Sequence, residues 1–238
     1  MDEHPPRAVR PTPEGREVKI GLITIGQSPR EDLLEEIREG VGEKAELLEA
    51  GALDDLSKEE IMKLRPSRGE HHLITRLRDG DSTIVSKEKI IPKIQAKIEQ
   101  LEEKGVDTIV LLCTGEFPEF KTKKPVLQPD KILKHVITAV AEGKKLGVIV
   151  PIPEQLPYAE KKWAPTGCKV YAVSASPYHE KKSVEEAAKS LKSKDVDLIL
   201  LDCMGFGAGL KRRVVEITGT PVIQSLSLVA KIAGELSQ

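Results

Sequence analysis

Lys104-Gly-Val-Asp-Thr-Ile-Val-Leu-Leu-Cys113-Thr-Gly115 and Lys194-Asp-Val-Asp-Leu-Ile-Leu-Leu-Asp-Cys203-Met-Gly205 lie ninety residues apart and decide the fold of this chain. Seven of the twelve aligned positions are identical, the cysteine and the final glycine among them. A short aliphatic run bounded by turn residues reads as a strand buried on both faces. Aliphatic matches alone are generic, because Val, Ile and Leu fill all such strands. A cysteine followed by x-Gly in the same register twice is not generic, and it points to an internal duplication. An opening strand precedes each copy: Lys19-Ile-Gly-Leu-Ile23 matches Lys145-Leu-Gly-Val-Ile149.

Between these strands the sequence alternates in type. After the first strand, Val18–Ile25, comes Gly26-Gln-Ser28-Pro29, which reads as a helix start with Ser28 as N-cap and Pro29 as first residue. That helix is expected to stop at Gly40. A second strand near Ala45–Leu48 follows, and Ser57-Lys-Glu-Glu60 forms a capping box. Leu73–Ser86, broken by Asp79-Gly-Asp81, reads as a hairpin. Apolar residues at helical spacing mark a helix over Lys87–Lys104, and Val106–Leu112 is the strand of the repeat. The second half runs helix (130–142), strand (146–150), helix (154–163), strand (169–173), helix (183–194), strand (196–201), then a further helix, a short strand at Val222-Ile223 and a last helix over Leu226–Leu236. Strands alternating with helices predict an α/β fold with mainly parallel sheets. The division expected is a flexible tail at 1–17, a first lobe at 18–117 and a second at 118–217, with 218–238 packing back on the first.

Composition narrows the function. Thirty-seven basic and 38 acidic side chains leave a net charge of −1. That balance offers no general attraction to nucleic acid or to an anionic membrane. Aromatic residues are scarce, with Trp163 the single tryptophan, so stacking platforms for single-stranded nucleic acid are not expected. No run approaches the roughly 20 apolar residues that span a bilayer. The proline-bearing segment before Val18 has no apolar core of a secretory signal. Three cysteines in a long chain suit a reducing compartment, and a cytoplasmic location is expected.

Ligands of open α/β sheets collect beyond the carboxyl ends of the strands. Cys113 and Cys203 both fall there, before glycine-bearing turns whose backbone N–H groups are available to an anion. If the two halves face each other, the thiols approach one ligand from opposite sides. Inverting a carbon needs a base on one face and an acid on the other, and a thiolate–thiol pair serves in either direction. The plainer alternative is that a free cysteine is a small core residue. Cys168, at the start of a strand on the opposite edge, is read that way. Cys113 is expected to be the more reactive thiol, because Asp202 adjoins Cys203.

Other residues of the sequence carry a resemblance. Ile23-Thr-Ile-Gly-Gln-Ser-Pro-Arg30 resembles the N-terminal motif of AroM-type proteins. Pro66-Ser-Arg-Gly-Glu70, Leu77-Arg-Asp-Gly80, Gly147-Val-Ile-Val-Pro151 and Leu201-Asp-Cys-Met-Gly-Phe206 fit that family in order. More distantly the doubled architecture is similar to the aspartate/glutamate racemase superfamily, with its hydantoin racemases and maleate isomerases. That resemblance implies two pseudo-symmetric lobes with a racemase-like ligand cleft between them, a small carboxylate ligand and no cofactor. A homodimer is among the assemblies it allows. Gly26, Gln27, Ser28, Arg30, Thr114 and Gly115 would then line the carboxylate pocket, with Gly205 opposite. The chain departs from its relatives at Met204, where a hydroxyl-bearing residue is usual.

The remaining motifs argue less. Gly205-Phe-Gly-Ala-Gly209 lacks the Lys-Ser/Thr of a phosphate-binding loop. His71-His72 have a poor ligand spacing, and no metal is expected. Arg30, Arg68 and Arg76 are candidates to grip a carboxylate bidentately, each with a solvated alternative, and Ser225 could reach the same edge. Two functions follow: a cofactor-independent racemase or isomerase of a small carboxylate, or a non-catalytic protein that binds a metabolite in the same cleft.

Overall fold

A computed structural model describes residues 17–42, 44–178 and 181–236. The tail expected at 1–17 lies almost wholly outside these residues. In chain order the elements are β1 (Lys19–Thr24), α1 (Glu31–Val41), β2 (Glu46–Gly51), α2 (Lys58–Lys63), β3 (His72–Arg76), β4 (Ser82–Ser86), α3 (Lys87–Glu103), β5 (Thr108–Leu111), β6 (Val126–Leu127) and α4 (Pro129–Ala141). Then come β7 (Lys145–Val150), α5 (Leu156–Trp163), β8 (Lys169–Ser174), α6 (Lys181–Ser193), β9 (Leu198–Leu201), α7 (Ala208–Thr218), β10 (Val222–Gln224) and α8 (Ser225–Glu235). No helix of the described residues is long and apolar enough to cross a membrane.

Two four-stranded parallel sheets carry the fold, ordered β2-β1-β5-β6 and β10-β9-β7-β8. Reversing the second gives β8-β7-β9-β10, so β1 matches β7 and β5 matches β9. The duplicated sequence sits on the duplicated strands. Its Val-Asp has a structural use: Asp107 accepts the backbone N–H of Lys19 at 3.0 Å, and Asp197 that of Lys145 at 2.8 Å. Each aspartate pins the start of one central strand to the start of its neighbour. The shared glycine has one too. A Cβ on Gly21 would lie 2.8 Å from Leu101 of α3, and one on Gly147 would lie 3.0 Å from Leu191 of α6. Only glycine lets those helices seat so closely on the sheets.

The lobes exchange helices. α4 follows a strand of the first sheet, yet Leu133 and Ile137 are buried with Leu146 and Val148 of the second. α8 follows a strand of the second sheet, yet Leu226, Val229 and Ala233 pack with Leu22 and Ile37 of the first. This reciprocal burial of apolar faces fixes one lobe on the other.

Several elements differ from the expectation. α1 does not stop at Gly40, which lies inside the helix where α8 passes. A Cβ there would come within 2.5 Å of Ala230. Ser28 does not cap α1, whose N-cap is Arg30. Instead the Ser28 hydroxyl and backbone N–H both donate to Asp54, at 2.7 Å each. The first sheet also takes β6 from beyond the boundary expected at residue 117. The capping box at Ser57–Glu60 and the antiparallel hairpin β3–β4 form as the sequence predicts.

Candidate functional site

Cys113 and Cys203 follow β5 and β9, each the strand after the glycine-bearing opener in its sheet. The approach is the same twice: Leu112 donates its N–H to Ile23 at 2.7 Å, and Asp202 to Ile149 at 2.9 Å. The chain then turns so that the Gly115 N–H reaches Cys113 Sγ at 3.4 Å and the Gly205 N–H reaches Cys203 Sγ at 3.5 Å. Both thiols are half-buried and both line one cavity of about 80 Å³ between the lobes. On its other side each sulfur packs on the core of its own lobe.

A buried ionic cluster joins the two turns. Lys162, from α5, places Nζ 2.8 Å from both carboxylate oxygens of Asp202 and 2.8 Å from the Thr114 carbonyl. Trp163 Nε1 donates to the same carboxylate at 2.9 Å. The Thr114 hydroxyl donates to the Asp202 carbonyl at 3.1 Å. The residue after one cysteine is thus tied directly to the residue before the other. Of this cluster, Asp202 has 3% and Lys162 12% of its side chain exposed.

Arg30 is also buried, with 4% exposure. Its fork grips Asp32 at 2.8 and 2.9 Å and reaches the Thr24 hydroxyl at 3.2 Å. Burial opposes its charge, but the bonds to Asp32 and the nearby Tyr178 outweigh it and raise its pKa. Tyr178 closes the wall beside Cys203, with the Arg30 guanidinium 6.0 Å from its ring centre. Burial and the neighbouring Cys203 raise the Tyr178 pKa.

The same burial governs the thiols. It pushes Cys113 up to about 12, against the Gly115 N–H and Lys162, while Cys203 and Asp202 add to the rise. It pushes Cys203 up to about 11, where the Gly205 N–H, Arg30 and Tyr178 ease ionisation and Asp202 opposes it. The Asp202 charge weighs on both cysteines, and each has a cation that eases its ionisation, Lys162 at Cys113 and Arg30 at Cys203, where the Tyr178 phenol helps as well. The Asp202 charge therefore raises both thiols' pKa values, not that of Cys203 alone.

Of the residues singled out from the sequence, Cys113, Cys203, Arg30, Thr114 and Gly115 share the cavity lining. Gly26, Gln27, Ser28 and Gly205 are outside it. Gln27 donates its side-chain N–H to the Leu53 carbonyl and accepts from the Arg78 N–H, which turns it toward the hairpin. Gly205 instead makes room for Tyr178. Arg76 stands 3.6 Å from Asp32 and borders a neighbouring groove, and Arg68 is exposed. Ser225 Oγ is spent on the Leu201 carbonyl, and Cys168 Sγ lies 3.0 Å from the Ala141 carbonyl in the second core. His71 pairs with Glu88 at 2.7 Å. The described residues hold no group of three or more His, Cys, Asp or Glu placed to bind a metal. Sequence reading missed Lys162 and Tyr178. The signal for Lys162 was indirect: a lone tryptophan needs an acceptor when buried, and the lysine beside it shares that acceptor.

Two matched sheets facing across a cavity, with one thiol from each at the strand ends, define the racemase-type α/β fold. Similar solved structures include the allantoin racemase from Klebsiella pneumoniae, at 20% identity over 92% of this chain and 87% of that one, with a TM-score of 0.62. The glutamate racemase from Aquifex pyrophilus matches at 19% over 93% and 84%, with a TM-score of 0.57. The maleate isomerase Iso from Pseudomonas putida S16 matches at 15% over 90% and 89%, with a TM-score of 0.58. No curated protein sequence matches the chain. Within this fold the chain belongs to the AroM protein family, whose profile matches residues 20–237.

Proposed function

We propose that this protein is a cofactor-independent racemase or isomerase of a small carboxylate, with Cys113 and Cys203 as its acid–base pair. The observation that carries the reading is the repeated turn, which offers one thiol from each lobe to one cavity. In the reaction one cysteine, as thiolate, removes the proton from the carbon beside the carboxylate. The other, as thiol, returns a proton to the opposite face. The two sulfurs finish with exchanged protonation states, so no net proton or electron is consumed. Lys162 acts as a positioning residue, since it bonds the turn of each cysteine. The free thiols suit a reducing compartment such as the cytoplasm.

A second reading rests on a specific observation. With pKa values of about 12 and 11, neither thiol is ionised near neutral pH before a ligand binds. That state suits a metabolite-binding protein that keeps the cleft without the chemistry. Solvent exchange separates the two. A bound carboxylate incubated in deuterium oxide gains deuterium beside its carboxyl group if the protein is an enzyme. Cys113→Ser and Cys203→Ser should each abolish turnover while the fold persists. Binding with no exchange at any pH at which the protein stays folded establishes the second reading.

A further inference from the structure

We propose that the cavity selects a small monocarboxylate with an apolar body and no ammonium group, and that Lys87 anchors its carboxylate. This rests on reading the cavity as a carboxylate site. The argument is one of charge pairing around the lining. Arg30 is held by Asp32, Lys162 by Asp202, Glu116 by Lys134, and His71 faces Glu88. Lys87, half-buried at the start of α3, is the charged residue of the lining left without an ion-pair partner among the described residues. Its nearest influence is on Glu116, which already has Lys134. A buried or half-buried charge gains most from an opposite charge that can also accept its hydrogen bonds.

One free cation matches one carboxylate. A second carboxylate would find no second unpaired lysine or arginine in the lining, and an ammonium group would find no free anion. Both carboxylates of the lining are spent, Asp202 on Lys162 and Trp163 and Glu116 on Lys134. The Thr114 hydroxyl, the obvious polar handle beside Cys113, is turned to the Asp202 carbonyl. A charge left unpaired in such a site costs far more than the contact it replaces. Ile25, Leu73, Ile74, Leu112, Val150 and Met204 give the wall its apolar part, beside the polar His72, Thr75, Gln155, Tyr158 and Tyr178. At about 80 Å³ the cavity is smaller than one that admits benzene, which limits the body to a few carbons.

Four matched four-carbon probes test the proposal on the whole chain: butyrate, succinate, 2-aminobutyrate and butyramide. The readout is protection of Cys113 and Cys203 from iodoacetamide, mapped by peptide mass, with probes at millimolar concentration. Butyrate should protect both thiols, and the other three should protect at least about tenfold less, the scale of a lost charge-assisted hydrogen bond. Lys87→Met should remove most of the butyrate protection, and Lys87→Arg should keep it, with unchanged melting temperatures in the absence of probe. The proposal is overturned if succinate or 2-aminobutyrate protects as well as butyrate. It is equally overturned if butyrate gives no protection, or the same protection in Lys87→Met. Deuterium incorporation is measured in parallel and keeps the two claims apart. Butyrate bound without exchange counts against the proposed chemistry alone, whereas succinate bound with exchange counts against this selectivity alone.

Discussion

The turns after β5 and β9 share a backbone and little else. Cys113-Thr-Gly115 and Cys203-Met-Gly205 make the same N–H to sulfur contact, at 3.4 and 3.5 Å. Around the first, a Cβ on Gly115 would meet Phe117 and Leu73 at 3.1 to 3.2 Å. Around the second, Gly205 lies beneath Tyr178, and Met204 is buried in the core of the opposite lobe. The buried acid and its lysine belong to the second half, with no counterpart at the first turn, where Leu112 holds the place of Asp202. Duplication kept the geometry that places a thiol. The environments of the two thiols differ, and with them the groups that set each one's ionisation.

The largest effect should come from breaking the cluster that locks the two turns together. Lys162→Met leaves the Asp202 carboxylate buried without its counterion, a loss of about 3–5 kcal/mol. The melting temperature should fall steeply, and iodoacetamide labelling of both thiols should slow, because an unbalanced anion disfavours thiolate. Adding Asp202→Asn should restore most of the stability and the labelling. If Lys162→Met alone labels as the parent does, the cluster does not tune the cysteines.

The next effect separates the thiols by pH. Labelling follows the thiolate fraction, so each rate should climb about tenfold per pH unit from neutrality toward its pKa. Cys203 should level off near pH 11 and Cys113 near 12. Replacing Tyr178 with Phe removes a hydrogen bond that eases ionisation of Cys203 and should move only that profile upward. Stability shifts with the same sign. The folded thiols hold their protons above the ordinary value near 9, so the folded state binds more protons than the unfolded one there. Their contribution is complete below about pH 9 and is lost as pH rises through 11 to 12. A transition that stabilises with rising pH over that range contradicts the assignment.

The duplicated strands, the hairpin and the placement of both cysteines at one sheet edge were legible in the sequence because they are local or repeated. Gly26, Gln27 and Ser28 were assigned to the ligand because they follow β1 at that edge. Asp54 and Arg78, 26 and 51 residues away, take up polar groups of Ser28 and Gln27 instead, and the Gly26 N–H goes to the Thr24 hydroxyl. Strand order locates an edge, but it does not reveal which loop residues are claimed by a distant hairpin. Lys162 was hidden for a related reason. Lys161-Lys162 reads as a solvated helix face, and only the helix rotation shows that one of the pair turns inward. The segment 218–238 was expected to pack on the first lobe as a whole; α8 does so, while β10 stays beside β9 in the second sheet.

A glycine comparison gives a smaller effect. Gly205→Ala places Cβ 2.8 Å from the Tyr178 hydroxyl and 2.9 Å from its ring, closer than atoms tolerate. Something must move, at a cost of about 1–3 kcal/mol, and the Cys203 labelling profile should move with it. Gly115→Ala meets Phe117 and Leu73 at distances a small shift relieves, so its cost should be lower and should leave Cys203 unchanged. Equal melting temperatures for the two variants would mean that the turns are as alike in packing as in backbone.

The smallest effect addresses Thr114, the one hydroxyl that differs between the turns. If it served a ligand, Thr114→Val would weaken carboxylate binding and leave stability almost untouched. The structure spends that hydroxyl on the Asp202 carbonyl at 3.1 Å, where it bridges the lobes. The Lys162 ammonium already bonds the Thr114 carbonyl and the Asp202 side chain, so the turns stay joined without it. The expected loss is therefore only about 1 kcal/mol, the net worth of one hydrogen bond. Thermal denaturation should register that loss while butyrate protection of the thiols stays as in the parent. Valine fills nearly the same volume as threonine, so packing does not confuse the result. Unchanged stability with weakened protection would instead make Thr114 a ligand contact, and would make the cysteine turns functionally more unequal than their shared backbone implies.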